Sequence, residues 1–420
     1  MNLPYLIFSD KKGNIYRHPY LRMAAGNFGN YVIPQDNELI SLPKGSTLFY
    51  MPGRLAVGYN HKQNTFEVVT DFEGKEVFAA AGFLIPAYLR LHIPATVVQK
   101  DIRLPLWAYT ACGFYSGRFY AAAKRIDSRV RQSPRFYDKS KIMKSVKYFL
   151  NKYPENRLYT HLANCALNYN CLAAKNLFLK RWEAPLPTSR FCNAGCIGCL
   201  SRQDSGCASS HKRISFRPKV KEIYEVMLNH LIHAREAIVS FGQGCEGEPL
   251  LEGEIISKSV EAVRSATKRG TININTNASL PLRIKMLCEA GVDSFRVSLN
   301  SLFSGNYNLY FRPRNYRFKD VLKSIETAKK YGKFVSINLF VFPGISDSQK
   351  EIDALLLFIK NTGIDMIQWR NLNIDPDFYL RTIHHDRIQP GGISYLLNQV
   401  QSEFPRIKTG YFNLPKEKFK

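Results

Sequence analysis

The rhythm of hydrophobic positions changes along the chain. Up to about residue 100, short apolar runs alternate with turn-forming clusters. Tyr5-Leu-Ile-Phe8, Thr47-Leu-Phe-Tyr50, Leu55-Ala-Val57 and Phe66-Glu-Val-Val69 are separated by Asp10-Lys-Lys-Gly-Asn14, Asn60-His-Lys-Gln-Asn64 and Asp71-Phe-Glu-Gly74. Such runs read as the strands of a small antiparallel barrel or sandwich. The next stretch reads as helical and aromatic, with one face at Ile142, Val146, Tyr148 and Phe149 and another from Leu158 to Leu179 that holds Cys165 and Cys171.

From Pro185-Leu-Pro187 onward, strand and helix alternate. Expected strands are Ala237 to Phe241, Thr271 to Thr276, Ser294 to Leu299, Phe334 to Val341 and Met366 to Trp369. Apolar residues at helical spacing lie between them. The first set is Val220, Ile223, Tyr224, Met227, Leu228 and Leu231, with Pro218 suited to the entry; later helices stop at Gly270, Gly291 and Gly332. This repetition predicts an α/β fold, a parallel sheet with helices packed outside. The expected division is a β-rich domain over 1–104, a helical basic segment over 105–184, the α/β part over 185–375 and an extension over 376–420.

Parity within these strands sharpens the expectation. Side chains alternate between the faces of a strand. Ile272 and Ile274 oppose Asn273, Asn275 and Asn277; Phe295, Val297 and Leu299 oppose Arg296, Ser298 and Asn300; Val335, Ile337 and Leu339 oppose Ser336 and Asn338; Gln368 and Arg370 share a face. A closed eight-stranded barrel fills its interior with branched apolar residues. Polar groups pointing one way on successive strands predict an open, incomplete barrel whose concave face is wet or ligand-filled, since buried amides without partners cost a few kcal/mol each.

Composition bounds the class. Of 420 residues, 45% are hydrophobic and 22% charged, which is ordinary for a globular protein with a real core. Nine cysteines without a small secreted scaffold argue for metal binding and a reducing, cytoplasmic compartment. No signal peptide is read at the N-terminus, and the longest apolar stretch, Val77 to Leu89, is short and contains Pro86, so it reads as core rather than as a membrane span. The net charge is +25, and residues 1–180 carry 25 Lys and Arg against 11 Asp and Glu. A basic stripe from Lys124 to Lys147 can attract nucleic acid such as RNA, an anionic membrane surface or an acidic protein, or be a solvated helix surface, the reading placed slightly ahead.

The chemistry centres on Phe191-Cys-Asn-Ala-Gly-Cys-Ile-Gly-Cys-Leu200. Cys192, Cys196 and Cys199 are spaced C-x₃-C-x₂-C after a strand. An iron–sulfur cubane usually takes four cysteines, so three leave one iron open. Structural zinc needs four ligands, and Cys207 or His211 can supply the fourth. The spacing serves either metal. Further on, Ser240-Phe-Gly-Gln-Gly-Cys-Glu-Gly-Glu-Pro-Leu-Leu251 places glycines where backbone can approach a ligand, with Glu248 beside Pro249 suited to a cationic amino group. Cys245 can touch substrate, and Cys112, Cys165 and Cys171 can hold a second cluster, but C-x₅-C is a poor ligand spacing and all four read first as core thiols. His230, His233, His384 and His385 read as surface residues.

This order of motifs resembles the radical S-adenosylmethionine (radical SAM) enzymes over roughly Pro185 to Asn373. The resemblance implies a partial (β/α)₆ barrel, a 4Fe–4S cluster on Cys192, Cys196 and Cys199, and S-adenosyl-L-methionine held by Gly247, Glu248 and Pro249. By position Thr276, Asn277, Ser298 and Asn300 would contact the cofactor. Arg296 and Arg370 would bind a carboxylate or phosphate of cofactor or substrate, or else pair internally with Glu248 or Asp375. It implies reductive cleavage of the cofactor to a 5′-deoxyadenosyl radical that abstracts hydrogen from an unassigned substrate, with an external electron donor of the flavodoxin or ferredoxin type and no membrane partner. Two departures stand out. Gly198 occupies the place of a usual aromatic residue before the third cysteine, and Glu246 that of the first glycine in the family's Gly-Gly-Glu-Pro turn, where its carboxylate can repel the cofactor. The competing reading is a non-catalytic metal-binding protein, with structural zinc or iron–sulfur, that binds RNA through its basic N-terminal half.

Overall fold

The computed structural model describes residues 3–27, 30–203, 209–385 and 390–420. The chain forms two compact units. One comprises Met1–Arg129, Phe340–Leu356 and Trp369–Arg406; the other comprises Val130–Leu339, Leu357–Gln368 and Ile407–Lys420.

The first unit is built on an antiparallel sheet of eleven strands among the described residues. Tyr5–Ser9 pairs with Ile15–Met23, Phe78–Phe83 and Cys112–Tyr115. The apolar run that begins at Val77 is core, as expected: Phe78 to Gly82 are all buried. Leu6, Phe8, Leu21, Met51, Val69 and Tyr109 pack with it. Strands continue where helix was expected. Cys112–Tyr115 and Arg118–Arg125 form a hairpin, and after a single 3-10 turn at Pro134–Phe136 the first α-helix begins only at Lys139. The cause is the turn: Ser116 (φ 46°) and Gly117 (φ 76°) are both left-handed, which matches the twist of paired strands. Arg54 is fully buried in this unit, its Nε 2.6 Å from Asp377 and its Nη2 3.4 Å from Asp375. Asp375 also accepts the Leu104 N–H at 2.9 Å.

The second unit opens with three helices, α1 (Lys139–Lys152), α2 (Arg157–Leu167) and α3 (Leu172–Phe178). A curled, half-barrel parallel sheet follows. Its strand order is Arg181–Pro185, Arg235–Phe241, Thr271–Thr276, Ser294–Leu299, Phe334–Val341, Met366–Asn371 and Lys408–Gly410. The sheet has seven strands where six were expected. The first starts four residues before Pro185, and proline is tolerated because this strand lies at the sheet edge. The last is three residues long, too short to show a period in the sequence.

Helix α4 (Val220–His233) shows why these segments are helical. Glu222 turns back to accept the Lys219 N–H at 2.6 Å, and Ile223, Val226, Met227, His230 and Leu231 form one buried stripe. His230 is therefore core rather than surface, with Nε2 2.7 Å from the Trp182 carbonyl. Helices α5 (Gly253–Ala266) and α6 (Pro281–Ala290) follow; α6 opens on proline and stops at Gly291, whose φ of 105° suits glycine. Helix α7 (Ser304–Phe311) was not expected, because its one buried face, Asn306, Tyr307, Tyr310 and Phe311, mixes a polar amide with tyrosines and so shows no clear hydrophobic period. Helix α8 (Phe318–Lys330) lies where the apolar spacing places it. Among the described residues no helix is long and apolar enough to cross a membrane.

The polar face of the sheet bonds largely to itself. Asn273 Nδ2 donates to Ser240 Oγ at 3.1 Å and to Asn275 Oδ1 at 2.8 Å, while Ser294 Oγ donates to Asn273 Oδ1 at 2.9 Å. Asn275 Nδ2 donates to the Phe241 carbonyl at 2.8 Å. Asn413, from the last segment, donates to Glu183 at 2.8 Å and accepts from Gln368 Nε2 at 2.7 Å. These amides need neither water nor ligand. The expectation of a wet or ligand-filled face is thus corrected at Asn273 and Asn275.

Candidate functional site

The cysteine loop leaves the carboxyl end of the first parallel strand, where loops of such sheets carry ligands. It is held from outside by the end of α7. Gly195 N–H donates to the Phe311 carbonyl at 2.9 Å, Ile197 N–H to the Tyr310 carbonyl at 3.0 Å, and Arg314 N–H to the Asn193 carbonyl at 2.8 Å. Cys192, Cys196 and Cys199 are half-buried and share this loop. Burial pushes the Cys192 thiol up to about 11, with the Glu248 carboxylate adding to it. Burial also raises Cys196, and the charges of Cys192 and Cys199 raise it further. The three sulfurs are thus within electrostatic reach of one another. Arg213, unremarked in the sequence, sets Nη2 3.7 Å from Cys199 Sγ. Of the two proposed fourth ligands, Cys207 lies outside the described residues, and the charge felt by His211 is that of Cys165 rather than of this trio.

The Gly-Glu-Pro turn docks on the cysteine loop through backbone. Gly247 N–H donates to the Ser189 carbonyl at 2.7 Å, and Glu248 N–H to the Phe191 carbonyl at 2.8 Å. Gly242, with φ of 77°, presses as closely on the carbonyl of Asn275; a Cβ there would lie 1.7 Å from its oxygen.

The two carboxylates of the turn have different surroundings. Glu246 points into a ring of donors: Thr188 N–H at 2.7 Å, Ser189 N–H at 2.9 Å, the Thr188 hydroxyl at 3.1 Å and the Gly242 N–H. It braces the start of the cysteine loop against the turn. That arrangement answers the concern that its charge would face a cofactor. Burial still pushes its carboxyl up to about 7 against these bonds. Glu248 accepts the Thr276 hydroxyl and Leu250 N–H on one oxygen, the latter at 3.1 Å, and Asn277 N–H at 2.8 Å on the other. Burial raises it too, to about 7. It forms no ion pair among the described residues.

The remaining sequence-proposed residues divide. Asn277 is brought to the cysteine loop, its Nδ2 donating to Asn193 Oδ1 at 2.8 Å while Asn193 Nδ2 donates to Ser279 Oγ at 2.8 Å. Ser298 accepts from Asn338 Nδ2 at 3.5 Å, and Asn338 Oδ1 is buried with no hydrogen-bond partner among the described residues. Asn300 Nδ2 donates to the Asn306 carbonyl at 3.2 Å. Arg296 pairs with neither Glu248 nor Asp375; its Nη1 donates to Gln368 Oε1 at 3.1 Å. Asp375 belongs to Arg54. Arg370 is half-buried on the strand Met366–Asn371. Gly198 leaves room that α7 fills: a Cβ there would lie 2.7 Å from the Tyr310 hydroxyl. An aromatic ring therefore borders the third cysteine, though it comes from another element.

The donor set suits the expected groups. Three soft thiols on one loop match iron–sulfur ligation. A buried carboxylate without an ion pair, and a buried amide oxygen without a donor, suit a cationic and hydroxylated ligand.

Comparison with known proteins finds a family match. Residues 186–356 match the family model of the Radical SAM superfamily. Members of that superfamily are enzymes that use a 4Fe–4S cluster and S-adenosylmethionine. Two curated relatives are similar. A probable GTP 3′,8-cyclase of Aeropyrum pernix is 30% identical over 121 residues, 29% of this chain and 32% of that protein. An uncharacterized protein of Methanocaldococcus jannaschii is 28% identical over 197 residues, 42% of this chain and 60% of that one. The chain thus spans less than two thirds of either relative. Among solved structures, Streptococcus suis SuiB bound to S-adenosylmethionine aligns at 17% identity and TM-score 0.39, covering 64% of this chain and 62% of that one.

Proposed function

We propose that this chain is a radical SAM enzyme, holding a 4Fe–4S cluster on Cys192, Cys196 and Cys199 and S-adenosylmethionine against Gly247-Glu248-Pro249, and acting on a substrate of unassigned class. The observation that carries this reading is the seating of the Glu-Pro turn on the cysteine loop, backbone against backbone at Gly247 and Phe191. That contact makes metal-binding and cofactor-binding segments one site. When bound, the cluster and cofactor supply one-electron cleavage of the sulfonium to a 5′-deoxyadenosyl radical.

The chain's own residues hold and orient. Thr276 and the Asn277 N–H fix the Glu248 carboxylate, so that it meets a cationic amino group without first being immobilised. Asn277 also ties the end of its strand to the cysteine loop through Asn193. Asn338 Oδ1 and the Ser298 hydroxyl offer hydrogen bonds on the polar face to a ribose or carboxylate. An external flavodoxin- or ferredoxin-type protein supplies the electron.

Anaerobic reconstitution with iron and sulfide tests the reading. Uptake of a cluster and formation of 5′-deoxyadenosine under strong reductant support it. Cys196→Ala abolishes both, while Cys112→Ala, in the core of the strand-rich unit, retains them. A chain that keeps stoichiometric zinc on the trio and never cleaves the cofactor ends the proposal.

A further inference from the structure

The second unit brings together a set of metal-ligating side chains that the radical SAM site does not use. His161 and Cys165 lie one turn apart on α2 and so share a face. Cys245, in the glycine-rich turn, completes a group in which the His161 nitrogen and the two sulfurs all lie within 4.8 Å of one another. The His161 Nε2 to Cys165 Sγ distance is 3.6 Å. Ligands of one tetrahedral zinc, with Zn–S of about 2.3 Å and Zn–N of about 2.0–2.1 Å, stand about 3.6 Å apart along an S···N edge. In a cubane each cysteine binds a different iron, which sets its ligand atoms further apart than these.

A fourth donor lies nearby, outside the group whose atoms are all within 4.8 Å. His211 Nδ1 is buried and has no hydrogen-bond partner among the described residues. It lies 3.8 Å from the position of a Cβ on Gly244, the neighbour of Cys245. Its charge and that of Cys165 act on each other. The Ile214 N–H donates to the Cys245 carbonyl at 2.8 Å, fixing the segment after His211 to the same turn.

We infer that His161, Cys165 and Cys245, with His211 as fourth ligand, form a mononuclear zinc site that pins helix α2 to the glycine-rich turn. The site is separate from the cysteine trio and stands whether or not the radical SAM reading holds. Its role is structural: it fixes the start of the turn that ends in Glu248.

The test separates the two centres. A chain with Cys192, Cys196 and Cys199 all replaced by alanine should still purify with one zinc per molecule. Adding Cys165→Ser or His161→Ala to that chain should remove the zinc, and His211→Ala should weaken its retention against a chelator at least tenfold. Cobalt(II) exchanged into the otherwise unaltered chain should give the intense visible bands of a tetrahedral thiolate site, a readout that needs no variant to fold. Absence of zinc from the trio-less chain, zinc retained without Cys165, or a Cys165–Cys245 disulfide in anaerobically prepared protein would each overturn the assignment.

Discussion

The carbonyl oxygen of Phe191 lies 1.9 Å from where a Cβ on Gly247 would begin. No side chain fits, so only glycine allows the Glu-Pro turn to rest on the cysteine loop. Gly195, in the same loop, has its nearest heavy atom at 3.6 Å, an ordinary contact.

Gly247→Ala should therefore force turn and loop apart. The expected cost is about 1–3 kcal/mol, the range for overpacking, together with loss of S-adenosylmethionine binding. Gly195→Ala should change stability by less than about 0.5 kcal/mol, as harmless substitutions do. Urea unfolding and equilibrium dialysis of the cofactor read both variants. Equal tolerance of the two would remove the backbone contact from the argument.

A second prediction concerns a residue the sequence left unremarked. Arg54 is fully buried with Asp375, which is nearly so, and Asp377. Removing one partner of such a set strands a buried charge, at about 3–5 kcal/mol. Arg54→Ala should lower the urea midpoint accordingly. Replacing Arg54 by Met and Asp375 by Leu together should cost less than the sum of the two single changes, because no fully buried charge is then left alone, Asp377 being partly exposed.

These examples mark what was legible in the chain. The cysteine spacing, the Gly-Glu-Pro turn and the strand parity through Asn273 and Asn275 are local patterns, and local patterns survive in one dimension. The α/β repeat was readable for the same reason. The partners were not. Arg54 and Asp375 are 321 residues apart, and Asn413 reaches Asn275 across 138. Nothing in the spacing announces such pairs. The hairpin at Cys112 was missed because Ala121, Ala122 and Ala123 are buried in succession and show no period of two. Helix α7 hid for a related reason, and with it Tyr310 over Gly198.

A third prediction follows from Glu222, which accepts from Arg157 and from the Lys219 N–H. Burial would raise its carboxyl, but these bonds outweigh burial and hold it at about 2, below the ordinary 4.5. A carboxyl whose folded value is the lower one stabilises fully above its unfolded value. That contribution should therefore be complete above about pH 4.5 and drain away as the pH falls toward about 2. Melting temperatures of the parent chain and of Glu222→Gln should differ at neutral pH and converge over that acidic interval. A constant difference would show that the pair contributes nothing through its charge.

The last prediction tests the ring beside the third cysteine. In this chain the residue before Cys199 is glycine, and the space above it holds the Tyr310 hydroxyl, 2.7 Å from a Cβ built on Gly198. Tyr310 is nearly fully buried and its backbone carbonyl carries the Ile197 N–H, so the ring cannot swing out freely. Gly198→Ala should consequently destabilise the chain and loosen the loop that carries the cysteines. Tyr310→Phe removes the clashing oxygen and leaves ring carbon at 3.4 Å, ordinary contact. In that background Gly198→Ala should be tolerated better. The two changes should therefore be non-additive, with a coupling of about 0.5–3 kcal/mol, as found for residues in contact. Unfolding of the four proteins of this cycle measures it, and iron content after reconstitution should follow the same order. Strict additivity would mean that Tyr310 does not occupy the room that glycine leaves at 198.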